Sequence, residues 1–196
     1  MGEDVHSVPH GPRVPHTRAA VVGSGFSGIG ASVALARRGV DHVVLERAAD
    51  LGGTWRDNRY PGCRCDVPSH LYSFSFAPNP DWSETYSPQP EIQAYLRRTA
   101  ERLGVTERIR FGHEVLDAAW DGEGRRWRLR TASGPRTADV LVMANGPLAE
   151  PAFPDLPGAG RFRGTAFHSA CWPEDLDLRG RRVAVIGTGA SAIQRP

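Results

Sequence analysis

The chain has 196 residues and a formal charge of +2, from 24 basic residues, every one an arginine, against 22 acidic ones; this balance carries no nucleic-acid or membrane-surface footprint. Its length holds one ordinary domain and part of another, short of two complete dinucleotide-binding domains. No apolar run approaches the roughly 18 residues of a membrane span, so the expectation is a cytoplasmic protein that handles small molecules, with no nucleic-acid or membrane partner.

Residues 1–17 are rich in Pro, His and Gly and read as a disordered leader whose three histidines, His6, His10 and His16, are solvated. The three cysteines, Cys63, Cys65 and Cys171, are too few and odd in number for a disulfide framework and fit a reducing compartment. Cys63, Cys65 and His70 do not complete a four-ligand zinc set, so no metal site is expected. The C-x-C spacing is also not that of a redox C-x-x-C pair.

Next comes "RAAVVGSGFSGIGASVALARRGVDHVVLERAADLGGTW". Ala19 to Val22 predict a buried parallel strand, Gly23-x-Gly25-x-x-Gly28 a tight turn, and Ile29, Val33 and Leu35 a helix ending near Gly39. Gly23 permits the sharp turn, Gly25 lets a pyrophosphate approach and Gly28 lets the helix lie close to the strand. The free N–H groups of Ser24, Phe26 and Ser27 then face phosphate. The second strand, His42 to Leu45, delivers Glu46, 18 positions after Gly28. Its carboxylate suits a ribose diol and repels a 2′-phosphate, which leaves FAD and NAD open and excludes NADP at this turn. The arrangement Glu46-x5-Gly52-Gly53-Thr54-Trp55 resembles the extended fingerprint of flavoproteins with two dinucleotide-binding domains. That resemblance implies FAD, with Arg47, Gly53 and Thr54 at the cofactor and Trp55 beside the flavin ring.

"NRYPGCRCDVPSHLYSFSFAPNPDW" has no period and predicts a functional loop. It resembles the active-site stretch of class B flavoprotein monooxygenases, the Baeyer–Villiger branch above all. The resemblance implies that Asp66 is the catalytic carboxylate that partners an arginine near the flavin, and that Arg64 and Tyr72 lie near nicotinamide and FAD. In that family NADPH reduces FAD, O2 forms a peroxyflavin, and a polar, water-excluding site keeps it anionic until it attacks. From Ser87 onward Ile92, Tyr95, Leu96 and Leu103 form one helical stripe with Gly104 as the stop, a packing helix without evident chemistry. Residues 108–134 alternate across a turn at Asp121 to Gly124 and predict an antiparallel meander with His113 in a strand. By resemblance Val115 meets the adenine with its backbone. Ala138 to Pro151 predict a near-continuous buried parallel strand ending in Ala144-Asn145-Gly146, where relatives usually carry A-T-G.

Residues 148–180 read as a linker that holds Phe162-x-Gly164-x3-His168-x3-Trp172-Pro173. This matches the Baeyer–Villiger fingerprint F-x-G-x3-H-x3-W-P at every fixed position, and by resemblance His168 supports domain movement and NADPH binding. Finally Val183 to Ile186 predict a strand and Gly187-x-Gly189-x-x-Ala192, with Ser191 inside it, a second nucleotide turn that by resemblance receives NADPH. The expected fold is therefore α/β: a Rossmann-like, three-layer FAD-binding domain with a β-meander (18–147), a linker (148–180), and the truncated start of a second Rossmann-like NAD(P)-binding domain (181–196). The expected function is an FAD- and NADPH-dependent monooxygenase inserting one oxygen atom of O2 into a ketone. The alternatives are N- or S-oxygenation of a soft nucleophile, and a truncated FAD-binding remnant. The 196 residues alone are expected not to turn over.

Overall fold

Strand β1 (His16–Val22) crosses over through helix α1 (Phe26–Arg37) into β2 (His42–Leu45), and the two strands run parallel with Val21 opposite Val44. The computed structural model describes residues 14–194, so His6 and His10 lie outside it. The expected leader is shorter than 17 residues, because β1 already includes His16 and Thr17. His16 hydrogen-bonds Thr137 Oγ1 at 3.0 Å and lies 3.4 Å from Asp139, a half-exposed residue held by its neighbouring strand.

A single six-stranded sheet has the order β3-β2-β1-β6-β5-β4. β3 (Ile109–Arg110) and β6 (Gly134–Met143) flank the β2–β1 pair in parallel, while β5 (Arg126–Thr131) and β4 (Val115–Asp121) continue antiparallel. Side chains alternate across a strand, and here the alternation builds three layers. Val21 and Val44 face the helices, where they join Ile29 and Val33 of α1 and Ile92, Tyr95 and Leu96 of α3 (Gln89–Arg102). Ala20, Val43 and Leu45 face the opposite way and meet Leu129, Val115 and Trp127 of the meander. The expected three-layer Rossmann-like domain with its meander is therefore present.

Five expectations need correction. The stretch read as an antiparallel meander includes Ile109–Arg110, which instead pairs parallel with β2. The meander's last strand and the final parallel strand are one element: β6 pairs with β5 through Thr131↔Gly134 to Trp127↔Ala138 and with β1 through His16↔Thr137 to Val22↔Met143. That strand is not buried throughout, since Val140 and Met143 are 50% and 61% exposed; among the described residues no helix covers that face of its end. His113 lies in the turn between β3 and β4, where its N–H donates to the Glu46 carbonyl at 2.8 Å. Val183 to Ile186 form no strand, and Val183 and Ile186 are 53% and 69% exposed. An apolar run becomes a parallel strand only where a neighbour takes its backbone groups, and among the described residues none does.

Two constraints set the end of the sheet where the loops gather. The first is backbone contact: a Cβ at Gly28 would lie 1.9 Å from the Gly23 carbonyl oxygen, and one at Gly23, whose φ is +98°, would lie 2.7 Å from that of Ala144. The second is Glu46, 4% exposed at the tip of β2. Its Oε2 accepts from the Ser24 N–H at 2.9 Å and from Ser24 Oγ at 2.7 Å, and its Oε1 from the Ala48 N–H at 2.9 Å and Arg56 Nη1 at 3.0 Å. Arg56 belongs to α2 (Thr54–Asp57). Burial alone pushes the Glu46 carboxyl up. The Ser24 hydroxyl, the two N–H groups and the Arg56 guanidinium outweigh it and hold the group below its ordinary value.

Gly28→Ala is expected to cost about 3 kcal/mol, the range of an overpacked site that cannot relax, read as a lowered urea midpoint. Gly25→Ala, whose Cβ meets nothing closer than 3.8 Å, should cost about 1 kcal/mol or less. Equal losses would show that the two glycines do not differ as described. For Glu46 the folded group is the stronger acid, so its stabilisation is full above the ordinary value of 4.5 and disappears as pH falls through the lowered folded value. Glu46→Gln should therefore destabilise by about 2 kcal/mol near about pH 7 and by much less near about pH 3. A gap in urea midpoint that stays constant across that window would refute the assignment.

Candidate functional site

The loops beyond the carboxyl ends of β1, β2 and β6 converge on the first glycine turn, the position at which open parallel sheets receive ligands. Gly25 is the N-cap of α1, with no side-chain cap and no acidic residue in the first turn. The first N–H groups of the helix, from Phe26 to Gly28, thus keep their hydrogen-bonding capacity for an anion. Contrary to expectation Ser24 offers phosphate no free N–H: it is buried, and both its N–H and its hydroxyl donate to Glu46, whereas Ser27 is exposed in the first turn of α1. Gly52 and Gly53, at φ +121° and +55°, bring the next loop onto this turn; a Cβ at Gly53 would lie 3.4 Å from Gly25 Cα. The Gly52 N–H donates to the Ser24 carbonyl at 3.0 Å.

This cradle has the shape and polarity for a dinucleotide pyrophosphate: glycines that leave the backbone bare, uncapped N–H donors, and a buried carboxylate at the tip of β2. Both Glu46 oxygens already accept two hydrogen bonds each, so a ribose diol must share Oε2 with the Ser24 hydroxyl, which rotates freely enough to yield. The Arg47 side chain turns instead to the segment after β6, pairing with Glu150 and donating to the Ala149 carbonyl. Val115 opens β4 just after the stretch in which the Gly112 N–H donates to the Ala48 carbonyl and that of His113 to the Glu46 carbonyl. Its backbone is thereby held to the Glu46 side of the cradle. Asn145 and Gly146, the latter at φ +71°, turn the chain beside Gly23.

Aromatic rings line the same turn. Trp55 is buried, and its Nε1–H donates to Tyr72 Oη at 3.1 Å, the rings meeting edge to face at 5.6 Å. Tyr72 in turn meets Phe26 of the glycine turn at 4.9 Å. Burial is the main force pushing the Tyr72 hydroxyl up; the Trp55 hydrogen bond opposes it and the charge of Asp66 adds to it. Trp55 is both a core residue, as an isolated tryptophan would be, and a wall of the cradle. Asp66 is exposed, and among the described residues its carboxylate accepts no hydrogen bond and joins no ion pair. Cys63 and Cys65, on either side of Arg64, are buried, and burial pushes both thiols up.

The loop also reaches the second glycine turn, 130 residues later. Tyr60 Oη bonds Ser191 Oγ and Gln194 Oε1, both at 3.1 Å. The Arg64 N–H donates to Gln194 Oε1 at 3.3 Å, and Gln194 Nε2 returns a bond to the Arg64 carbonyl at 3.0 Å. Ser191 lies in the short helix α4 (Ala190–Ile193), which Gly187, at φ +134°, and Gly189, the N-cap, introduce. The Arg64 guanidinium points elsewhere, to Glu84 at 2.9 Å. Of the fingerprint, Trp172 rests on the core cluster and stacks edge to face with Phe167 at 5.1 Å, while Glu174 pairs with Arg59 at 3.3 Å. His168 Nδ1 accepts from the Ala170 N–H at 3.1 Å, and its ring meets Phe153. Sequence reasoning did not single out Arg56 or Tyr60: beside its neighbour Asp57, Arg56 meets Glu46 at the tip of β2, and Tyr60 meets Ser191 and Gln194 far along the chain, pairings that no local spacing signals.

Residues 21–98 match the family model of an NAD(P)-binding Rossmann-like domain. The chain is 60% identical over 180 residues to a Baeyer–Villiger monooxygenase of Streptomyces coelicolor, covering 91% of this chain and 35% of that one. Among solved structures it resembles cyclohexanone monooxygenase with ε-caprolactone bound, at TM-score 0.84 and 40% identity over 92% of this chain and 37% of that one. It also resembles OTEMO in complex with FAD and NADP, at TM-score 0.84 and 36% identity over 93% of this chain and 36% of that one. The chain spans about a third of the length of each. At 60% identity over 91% of its own length, this chain belongs to the flavin-dependent monooxygenases of the Baeyer–Villiger type, an oxidoreductase family.

Proposed function

We propose that this chain carries the FAD site and the first nicotinamide-nucleotide turn of a monooxygenase that places one oxygen atom of O2 beside a ketone carbonyl. The single observation that supports it most is that one loop touches both glycine turns: Tyr72 lies against Phe26 of the first, while Tyr60 and Arg64 hold Ser191 and Gln194 of the second. Two nucleotides seated on those turns would meet across the loop that bears Asp66. The relative with FAD and NADP bound supports the same pair of cofactors, FAD and NADPH, here. Residues 18–147 then form the flavin-binding part, 148–180 the linker, and 181–196 the entry to the nicotinamide-nucleotide part.

FAD reduced by NADPH supplies the electrons that activate O2, one oxygen atom going to the substrate and the other to water. The chain's own residues do the rest. The uncapped N–H groups of Phe26, Ser27 and Gly28 bind the pyrophosphate, and the buried negative charge of Glu46 beside them rejects a ribose 2′-phosphate. Trp55 and Tyr72 shield the flavin side of the cradle from water, and Val115 closes the adenine side with its backbone. Asp66 is exposed and its carboxylate has no hydrogen-bond or ion-pair partner among the described residues, as befits a carboxylate that orients a guanidinium from another segment. Trp172 anchors the fingerprint against the core, which leaves His168 to order the segment between the two turns.

Gly25→Ala adds one methyl group at the mouth of the cradle without a clash in the protein. FAD affinity of the purified chain, followed by flavin fluorescence, should fall about tenfold or more while the urea midpoint barely moves. Retained affinity would place the pyrophosphate elsewhere. For the reaction, the longer polypeptide of the relatives' length should convert a cyclic ketone to a lactone with NADPH and O2, and Asp66→Ala should abolish this. N- or S-oxide products without lactone would assign the alternative chemistry.

A further inference from the structure

Helix α3 shows its apolar face to the core and, beside it, a polar row at four-residue spacing: Gln89, Gln93 and Arg97. All three grip one loop. Gln89 Nε2 donates to the Trp55 carbonyl. Gln93 Nε2 donates to the Leu51 carbonyl at 2.8 Å and reaches Asp50 Oδ2 at 3.4 Å, and Arg97 pairs with the same carboxylate at 2.5 Å. Residues 50–55, held in this way, are those that lay Gly52 and Gly53 on Ser24 and Gly25 of the first nucleotide turn.

The Gln93 amide is 5% exposed, and its Oε1 has no hydrogen-bond partner among the described residues. A Cβ at Gly52 would lie 2.1 Å from that oxygen. The amide therefore stands where a side chain of residue 52 would go and presses directly on the diglycine. A buried carbonyl without a partner destabilises a fold, and a leucine of similar volume would not. An arrangement that keeps the amide favours one loop position over stability alone.

We propose that Gln89, Gln93 and Arg97 are positioning residues: they set residues 50–55 at the distance from the first glycine turn that the flavin pyrophosphate and ring require. Its cofactor half rests on the flavin site proposed above, whereas its positional half does not. The row acts through the loop and touches no cofactor itself.

The test is Gln93→Leu in the 196-residue chain, with Ile92→Val as a control that weakens the same helix without touching the loop. Amide exchange at Gly52, Gly53 and Trp55 should accelerate about tenfold relative to Val21 and Val44 in Gln93→Leu, but in step with them in Ile92→Val. The FAD dissociation constant should rise about tenfold in the first variant and stay unchanged in the second. Arg97→Met should loosen the loop and Arg97→Lys, which keeps a cation on Asp50, should restore it. Exchange in Gln93→Leu that rises only in step with Val21 and Val44, or FAD binding as tight as in the unaltered chain, overturns the proposal. If the unaltered chain takes up no FAD, the flavin reading fails, and the exchange rates alone decide whether the row positions the loop.

Discussion

A carboxylate taken out of water survives only if its oxygens are satisfied, and at Glu46 that requirement organises the whole end of the sheet. Its four hydrogen bonds come from three segments: the turn after β1, the exit of β2, and α2. Arg56 is in turn shared with Asp57 and the Asp50 carbonyl, so the diglycine loop is drawn in by the same charge. Burial by itself lowers the Arg56 guanidinium, but its bond to Asp57 and the charge of Glu46 outweigh this and hold it firmly protonated. One buried ion pair thus sets the relative heights of the two glycine-rich loops that face each other across the proposed flavin site.

Around that pair the backbone is packed without slack. Gly28 against Gly23, Gly23 against Ala144 and Gly53 against Gly25 are contacts between main chains. They join β1, β6 and the diglycine loop at one point. From the helix side, α3 completes the grip: its polar row holds residues 50–55, and Tyr95 accepts from the Phe74 N–H at 2.8 Å and donates to the Ala77 carbonyl at 2.7 Å. A helix whose spacing reads as plain packing therefore carries the supports of both site loops. Precision in such a site comes from rigid elements behind it more than from the loops themselves.

The second half of the site is held differently. The segment from 148 to 194 is largely exposed; besides Trp172, which rests on the core cluster, it attaches through a few polar contacts: Arg47 with Glu150, Arg59 with Glu174, and Tyr60 and Arg64 with Ser191 and Gln194. Exposed ion pairs of this kind contribute little each. They define where the second turn sits without the apolar burial that fixes the first.

What could be read from residues alone is local in origin. The strand, turn and helix around Gly23 to Gly28, Glu46 at the tip of β2, the stop at Gly104 and the turn at Asp121 to Gly124 all follow from backbone sterics and from hydrophobic period within a few residues. The order of motifs from Trp55 through Asp66 to His168 was legible too, as a resemblance to the family. The tertiary structure decided everything that needs a distant partner. It merged the meander's edge and the last parallel strand into β6, because one continuous strand pairs with β5 over 134–138 and with β1 over 137–143. It left Val183 to Ile186 unpaired, and it gave Glu46 the guanidinium of Arg56 and Gln93 the loop at Gly52. Pairing energy depends on which groups the fold brings within hydrogen-bonding distance, and spacing along the chain does not contain that distance.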